Sequence, residues 1–90
     1  MSAVLMIRAN VASYDPWRIE YDNGATFRRE HGVRGDEVYC SPEDMTSVFV
    51  LHYFDTLEAA KSFSSNSEFA DRMKSSGVIG APRMVVAETR

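Results

Sequence analysis

An α+β domain, with a four-stranded antiparallel sheet and its helices on one face, is the fold class this 90-residue chain predicts. Three observations carry it. Four stretches are rich in β-formers, at residues 3–11, 33–40, 47–54 and 83–88. Helical patterns with start and stop residues occupy the first and last gaps, while the middle gap is the turn cluster Ser41-Pro42-Glu43-Asp44. The order is therefore β-α-β-β-α-(α)-β, and right-handed crossovers fold that order into one sheet.

The first strand has two different faces under period-2 reading. Ala3, Leu5, Ile7, Ala9 and Val11 are uniformly apolar and should pack on helices, whereas Val4 and Met6 give way to Arg8 and Asn10. Asp15-Pro16-Trp17 announces a helix, with Asp15 as cap and Pro16 at the first helical position, where a missing N–H costs nothing. That helix is expected to run to about His31, with Gly32 as its stop. Asn23-Gly24 weakens its middle, since glycine costs about 1 kcal/mol against alanine in a helix interior.

In the second strand Val38 and Cys40 share one face and Tyr39 takes the other. The third strand is nearly continuous in apolar character, so both of its faces should be covered. Asp55-Thr56-Leu57-Glu58 has capping-box spacing, and Leu57, Ala60 and Phe63 mark one face of the helix that follows. Ser64-Ser65-Asn66 breaks it. A shorter helix over residues 67–76 carries Phe69 and Met73 four apart and stops at Gly77. Gly80-Ala81-Pro82 reads as a loop before the last strand.

Length and composition bound the rest. Ninety residues make a single domain, 1–90, and one this small removes only about 60–65% of its unfolded surface from water. Such domains draw support from a metal, a disulfide or a partner subunit. The lone Cys40 excludes an internal disulfide and a CxxC zinc site, leaving the partner subunit. Ten Lys+Arg against thirteen Asp+Glu are interspersed, giving net charge −3 with no basic stripe for nucleic acid. The apolar stretch at residues 3–7 is too short for a signal peptide or a membrane span. A cytoplasmic protein with a reduced thiol is expected.

The arrangement is ferredoxin-like, and it leaves one face of the sheet bare. Val48, Val50, His52 and Phe54 of the third strand, with Met6 and Met84, are expected to form an apolar patch there. Two copies placed sheet to sheet would cover each other and enclose a space.

At this point the chain resembles the dimeric α+β barrel superfamily, particularly the small antibiotic biosynthesis monooxygenase-like proteins. The resemblance lies in Asp15-Pro16-Trp17, in residues 28–33 (RREHGV) and in residues 54–63 (FDTLEAAKSF). It continues in Ser67-Glu68-Phe69, Met73, Gly77-Val78 and Gly80-Ala81-Pro82, and so covers nearly the whole chain. It implies a homodimer that pairs sheet to sheet and holds a ligand cavity. It also implies activities ranging from oxygenation of phenolic polyketides without metal, flavin or haem, through cyclisation, to haem breakdown and quinol oxidation.

Fold alone does not select among these, so the residues must. Oxygenase-like relatives often carry a strand asparagine, with a tryptophan nearby, to hold a substrate carbonyl or developing anion. Asn10 and Trp17 could match, with Arg8 supplying positive charge. The plainer alternative has Arg8 in a dimer salt bridge and Asn10 capping the strand end. His52 is the candidate base, since cofactor-free oxygenation needs a carbanion or phenolate and histidine titrates in the right range. Its alternative is a buried interface hydrogen bond. Trp17 and Tyr14, with Met6, Val50, Phe54 and Met84, would wall the ligand space. Tyr21 and Phe27 could line it too, although aromatics at helical spacing are more often core.

His31 beside Gly32 fits a role at the helix end, and Cys40 fits a small buried hydrophobe. Two His and one Cys lack ligand spacing for a metal. Haem-degrading relatives place a His and a Trp after the third strand, and residues 55–82 contain neither. Three readings remain: a cofactor-independent oxygenase or cyclase acting on an aromatic or polyketide-like substrate, a non-catalytic dimer that binds a hydrophobic aromatic, and a purely structural or regulatory dimer.

Overall fold

β1 (Ala3–Val11) takes the centre of the sheet because one of its faces is wholly apolar. Ala3, Leu5, Ile7, Ala9 and Val11 are buried, while Met6, Arg8 and Asn10 on the other face are exposed. In this computed structural model, which describes residues 2–90, β1 is flanked by β3 (Ser47–Phe54) and β4 (Val78–Glu88). β2 (Val33–Cys40) completes the order β2-β3-β1-β4, every neighbouring pair being antiparallel. The fold is α+β and ferredoxin-like, as the element order requires.

Four helices supply the second layer: α1 (Tyr14–Asn23), α2 (Ala25–Glu30), α3 (Leu57–Ser64) and α4 (Ser67–Ser75). Phe63 of α3 is the hub of the core between the layers, its ring 5.9 Å from Phe27, 5.6 Å from Phe54 and 4.3 Å from Phe69. Among the described residues no helix is long and apolar enough to cross a membrane.

Several local expectations change. The first helix has Ser13 at its N-cap position, two residues earlier than the expected Asp15 and without a side-chain capping bond, and Asp15 sits in its first turn, where a carboxylate favours the helix dipole. It is also two helices. Gly24 ends α1 and precedes α2, because the glycine is cheaper at a break than inside a helix. α3 is capped by Thr56, whose hydroxyl accepts from the Ala59 N–H at 3.1 Å, so no capping box forms from Asp55 to Glu58. Asn66 caps α4 in the same way, accepting from the Phe69 N–H at 3.0 Å.

β4 begins at Val78, not at Arg83. Asn10 pairs with Ile79 and Arg8 with Arg83, so Gly80-Ala81-Pro82 is a bulge opposite Ala9 rather than a loop. Gly80 supplies the left-handed backbone there, at φ 69°, and Pro82 is tolerated because β4 is an edge strand.

The larger correction concerns which residues lie on the bare face. Across β1 and β3, Leu5 faces His52, Ile7 faces Val50, Ala9 faces Val48 and Ala3 faces Phe54. Directly opposed residues share a face, so Val48, Val50, His52 and Phe54 all point under the helices and are buried. Met84 pairs with Ile7 and so lies on the helix side too, but on edge strand β4 it stays 37% exposed. The bare face is real but is built from Met6, Phe49, Tyr53, Tyr39 and Val85, exposed at 38%, 38%, 39%, 52% and 46%.

Candidate functional site

A cavity of about 60 Å³ lies between the sheet and helices α1, α2 and α4. Ile7, Ala9, Val48 and Val50 form its floor, and Trp17, Phe27, Phe69 and Met73 its apolar walls. Trp17 and Tyr21 lie four apart on α1, one above the other, with ring centroids 5.2 Å apart. Glu20 and Arg72, both exposed, edge the opening. The polar groups within are few: His52, Tyr21, Arg28 and Ser76, whose hydroxyl is already given to the Met73 carbonyl.

His52 is completely buried. Its ring stacks 6.0 Å from Tyr21 and meets Phe63 and Phe69 edge-on, at 5.5 Å and 6.1 Å. The Tyr21 hydroxyl donates to Asp36 Oδ2 at 2.6 Å and lies 3.0 Å from His52 Nε2. A phenol has one proton, and a carboxylate can only accept. The Tyr21 oxygen must therefore accept from Nε2–H, which places the imidazole proton on Nε2 and the lone pair on Nδ1. That Nδ1 is buried and has no hydrogen-bond partner among the described residues.

Asp36 reaches this chain because it sits directly across from His52 in the β2–β3 register. Burial pushes the His52 pKa down to about 4, the Arg28 guanidinium pushes the same way, and Asp36 opposes both. The ring is neutral at neutral pH. Burial and the bond to Asp36 hold the Tyr21 hydroxyl far above the ordinary phenol range, so it stays protonated as a relay. Arg28 is itself only 8% exposed; it donates from Nη1 to the Tyr21 carbonyl at 2.6 Å and lies 3.7 Å over the Tyr21 ring.

The residues anticipated from the sequence are divided by the sheet. His52, Trp17 and Val50 line the cavity. Arg8 and Asn10 do not. They lie on the opposite face, where Arg8 stacks 5.7 Å over Phe49, so neither can stabilise an anion formed beside His52. Met6 is also on that face, pairing with Leu51 and Val85. Phe54 is buried beneath α3 outside the cavity, Met84 is on the helix side without reaching it, and Tyr14 packs on Trp17 at 5.8 Å as part of the wall's support.

His31 is occupied locally, with Nδ1 2.8 Å from the Phe27 carbonyl, and Cys40 is half-buried on the helix side opposite Val48. No group of three or more potential metal ligands exists among the described residues. Sequence reasoning did not single out Asp36, Arg28 and Arg72. The spacing of Tyr21, Gly24 and Arg28 at helical intervals is the signal that places Arg28 on the same face as Tyr21.

Comparison with solved structures shows which proteins share the fold. SnoaB, a cofactor-independent oxygenase from Streptomyces nogalater, superimposes with a TM-score of 0.78 at 10% identity, covering 99% of this chain and 93% of that one. The chain has the antibiotic biosynthesis monooxygenase fold. The monooxygenase ActVA-Orf6 of Streptomyces coelicolor, solved in complex with nanaomycin D, shares it at TM-score 0.70 and 17% identity, over 99% and 88% of the two chains. So does Rv0793 of Mycobacterium tuberculosis, at TM-score 0.70 and 12% identity over 100% and 96%. No family model and no curated protein sequence matches the chain. At such identities the monooxygenase fold is shared while the site must be read from its own residues.

Proposed function

We propose that this protein is a cofactor-independent oxygenase of small aromatic or polyketide-like substrates, with His52 as the base. The observation that carries the reading is the unpartnered Nδ1 of a fully buried imidazole that lines an apolar cavity. A buried acceptor left without a donor costs roughly 1–3 kcal/mol, and a substrate O–H or acidic C–H supplies what it lacks. Proton transfer to Nδ1 makes an imidazolium whose Nε2–H is already held by Tyr21 and Asp36. Arg28, which depresses the His52 pKa, also stabilises the substrate anion, so it weakens the base and strengthens the acid together. The carbanion or phenolate passes electrons to molecular oxygen and a carbon–oxygen bond forms. The balance is one CH₂ and one O₂ giving one C=O and one water.

SnoaB's description as a cofactor-independent oxygenase, and that of ActVA-Orf6 as a monooxygenase in complex with nanaomycin D, support the same class. The cavity is small beside typical ligand sites of about 300–1,000 Å³, so a fused-ring substrate requires α1 and α4 to part at the Glu20–Arg72 opening. Oxygen uptake by metal-free protein with an anthrone tests the reading. His52→Leu should lower turnover about 100-fold or more with the fold intact. Undiminished turnover removes His52 from the chemistry. The depressed His52 pKa favours a second reading, a non-catalytic aromatic binder, which predicts saturable anthrone binding without oxygen consumption.

The active species is a homodimer paired through the bare sheet faces. Exposed Met6, Phe49, Tyr53 and Val85 support this, because a small domain rarely leaves such a face to water.

A further inference from the structure

We infer that Arg28 and Arg72 form a carboxylate subsite beside Gly24, so that the substrate is an aromatic acid rather than a neutral aromatic. The inference rests on the aromatic-ligand reading above and adds the charge of the ligand.

Arg28 is nine-tenths buried and pairs with no carboxylate among the described residues. Its one side-chain hydrogen bond goes to a backbone carbonyl, and a guanidinium carries five N–H donors. Asp36 is held on the far side of the stack by the Tyr21 hydroxyl and makes no ion pair with Arg28, so the guanidinium's remaining donors are open to an anion arriving in the cavity. Arg72 approaches from α4, its guanidinium 4.5 Å over the Phe27 ring and its Nε 3.3 Å from Glu68. The two arginines flank one point. A Cβ placed on Gly24 would lie 3.1 Å from Arg28 Nη1 and 3.9 Å from Arg72 Nη1.

Gly24 has φ −85°, a conformation any residue adopts, so backbone strain does not explain the glycine. Crowding does: a Cβ there would press on Arg28 Nη1 and lie 3.4 Å from the Tyr21 carbonyl, so the missing side chain gives the guanidinium its place at the cavity wall. Both arginines and Gly24 line the same cavity as His52, and Glu20 is the acidic residue on its wall, leaving a net positive lining while His52 is neutral. A carboxylate held by the paired guanidinium forks fixes the ring against Trp17 and Phe69, with its reacting position toward His52.

Benzoate and benzamide, isosteric probes that differ in charge, test this by titration followed through amide NMR spectra. Benzoate should bind at least about tenfold more tightly than benzamide, as expected for a gained charged hydrogen bond, and should shift the Gly24 amide. Arg72→Met, at a half-exposed position, should abolish the preference, weakening benzoate much more than benzamide. Arg28→Lys should reduce it in part. Equal binding of the probes, binding of neither, or a preference that survives Arg72→Met overturns the subsite. Oxygen uptake by His52→Leu reads the catalytic proposal separately, so the two can fail independently.

Discussion

The Tyr21 hydroxyl lies 3.0 Å from His52 Nε2 and determines which imidazole nitrogen is free. Because the same hydroxyl gives its proton to Asp36, the ring is held with Nε2–H toward Tyr21 and Nδ1 bare. Three elements meet in that arrangement: α1 supplies Tyr21, β3 supplies His52 and β2 supplies Asp36. A substrate would find its acceptor already oriented, without rotation of a buried ring.

Tyr21→Phe should cost about 1–3 kcal/mol, because it strands a buried Nε2–H. It should also free the tautomer. Long-range proton–nitrogen correlation spectra are expected to show the wild-type proton on Nε2 and a mixture in the variant. A wild-type proton on Nδ1 would contradict the relay.

The His52 pKa of about 4 sets a pH dependence with a definite sign. The folded ring binds its proton less tightly than the unfolded ring, whose pKa is about 6.5. Its contribution is therefore fully present above pH 6.5 and is lost as pH falls from there toward 4, by up to about 3 kcal/mol. Urea midpoints taken across that window should fall in the wild type. In His52→Leu the slope attributable to this group should vanish, and an unchanged slope would place the titration elsewhere.

What could be read from the chain divides along physical lines. β1 showed its phase because Arg8 and Asn10 break the apolar pattern on one side only. β3 hid its phase, since Phe49 and Leu51 are as apolar as Val48 and Val50, and either set could have faced the helices. Cross-strand register, which no single-strand pattern contains, placed His52 under the helices and left Arg8 and Asn10 on the other face. Asp36 was invisible for the same reason, being brought to Tyr21 by its register with His52. The start of β4 was masked by Gly80-Ala81-Pro82, whose composition is that of a loop even where it forms a bulge.

Gly32 and Gly35 lie three residues apart and should respond unequally to alanine. Gly32 stands at φ 94°, where an added Cβ has room, its nearest contact being Ala59 Cβ at 3.6 Å, but the backbone disfavours it. Gly32→Ala should destabilise by about 1–2 kcal/mol. Gly35 has no such constraint, and its nearest neighbour would be Tyr53 Cδ2 at 3.9 Å. Gly35→Ala should stay within about 0.5 kcal/mol of wild type. Thermal melts of the two variants side by side check the contrast, and equal losses would mean that crowding rather than φ governs Gly32.

Pairing through the bare sheet face predicts where a single charge does most damage. Phe49 is 38% exposed on central strand β3, beside Arg8 of β1, with Met6 and Val85 on the same face. Phe49→Glu would bury a carboxylate in an apolar contact, a penalty that favours separation of the subunits. Native mass spectrometry should find the wild type at twice the 10.1 kDa of one chain and the variant shifted toward the single-chain mass. Ile19→Glu, at an exposed position on α1 away from the sheet, serves as control and should leave the mass unchanged. A wild type of single-chain mass at micromolar concentration, or a Phe49→Glu variant that stays paired, would show that the bare face is not the dimer contact.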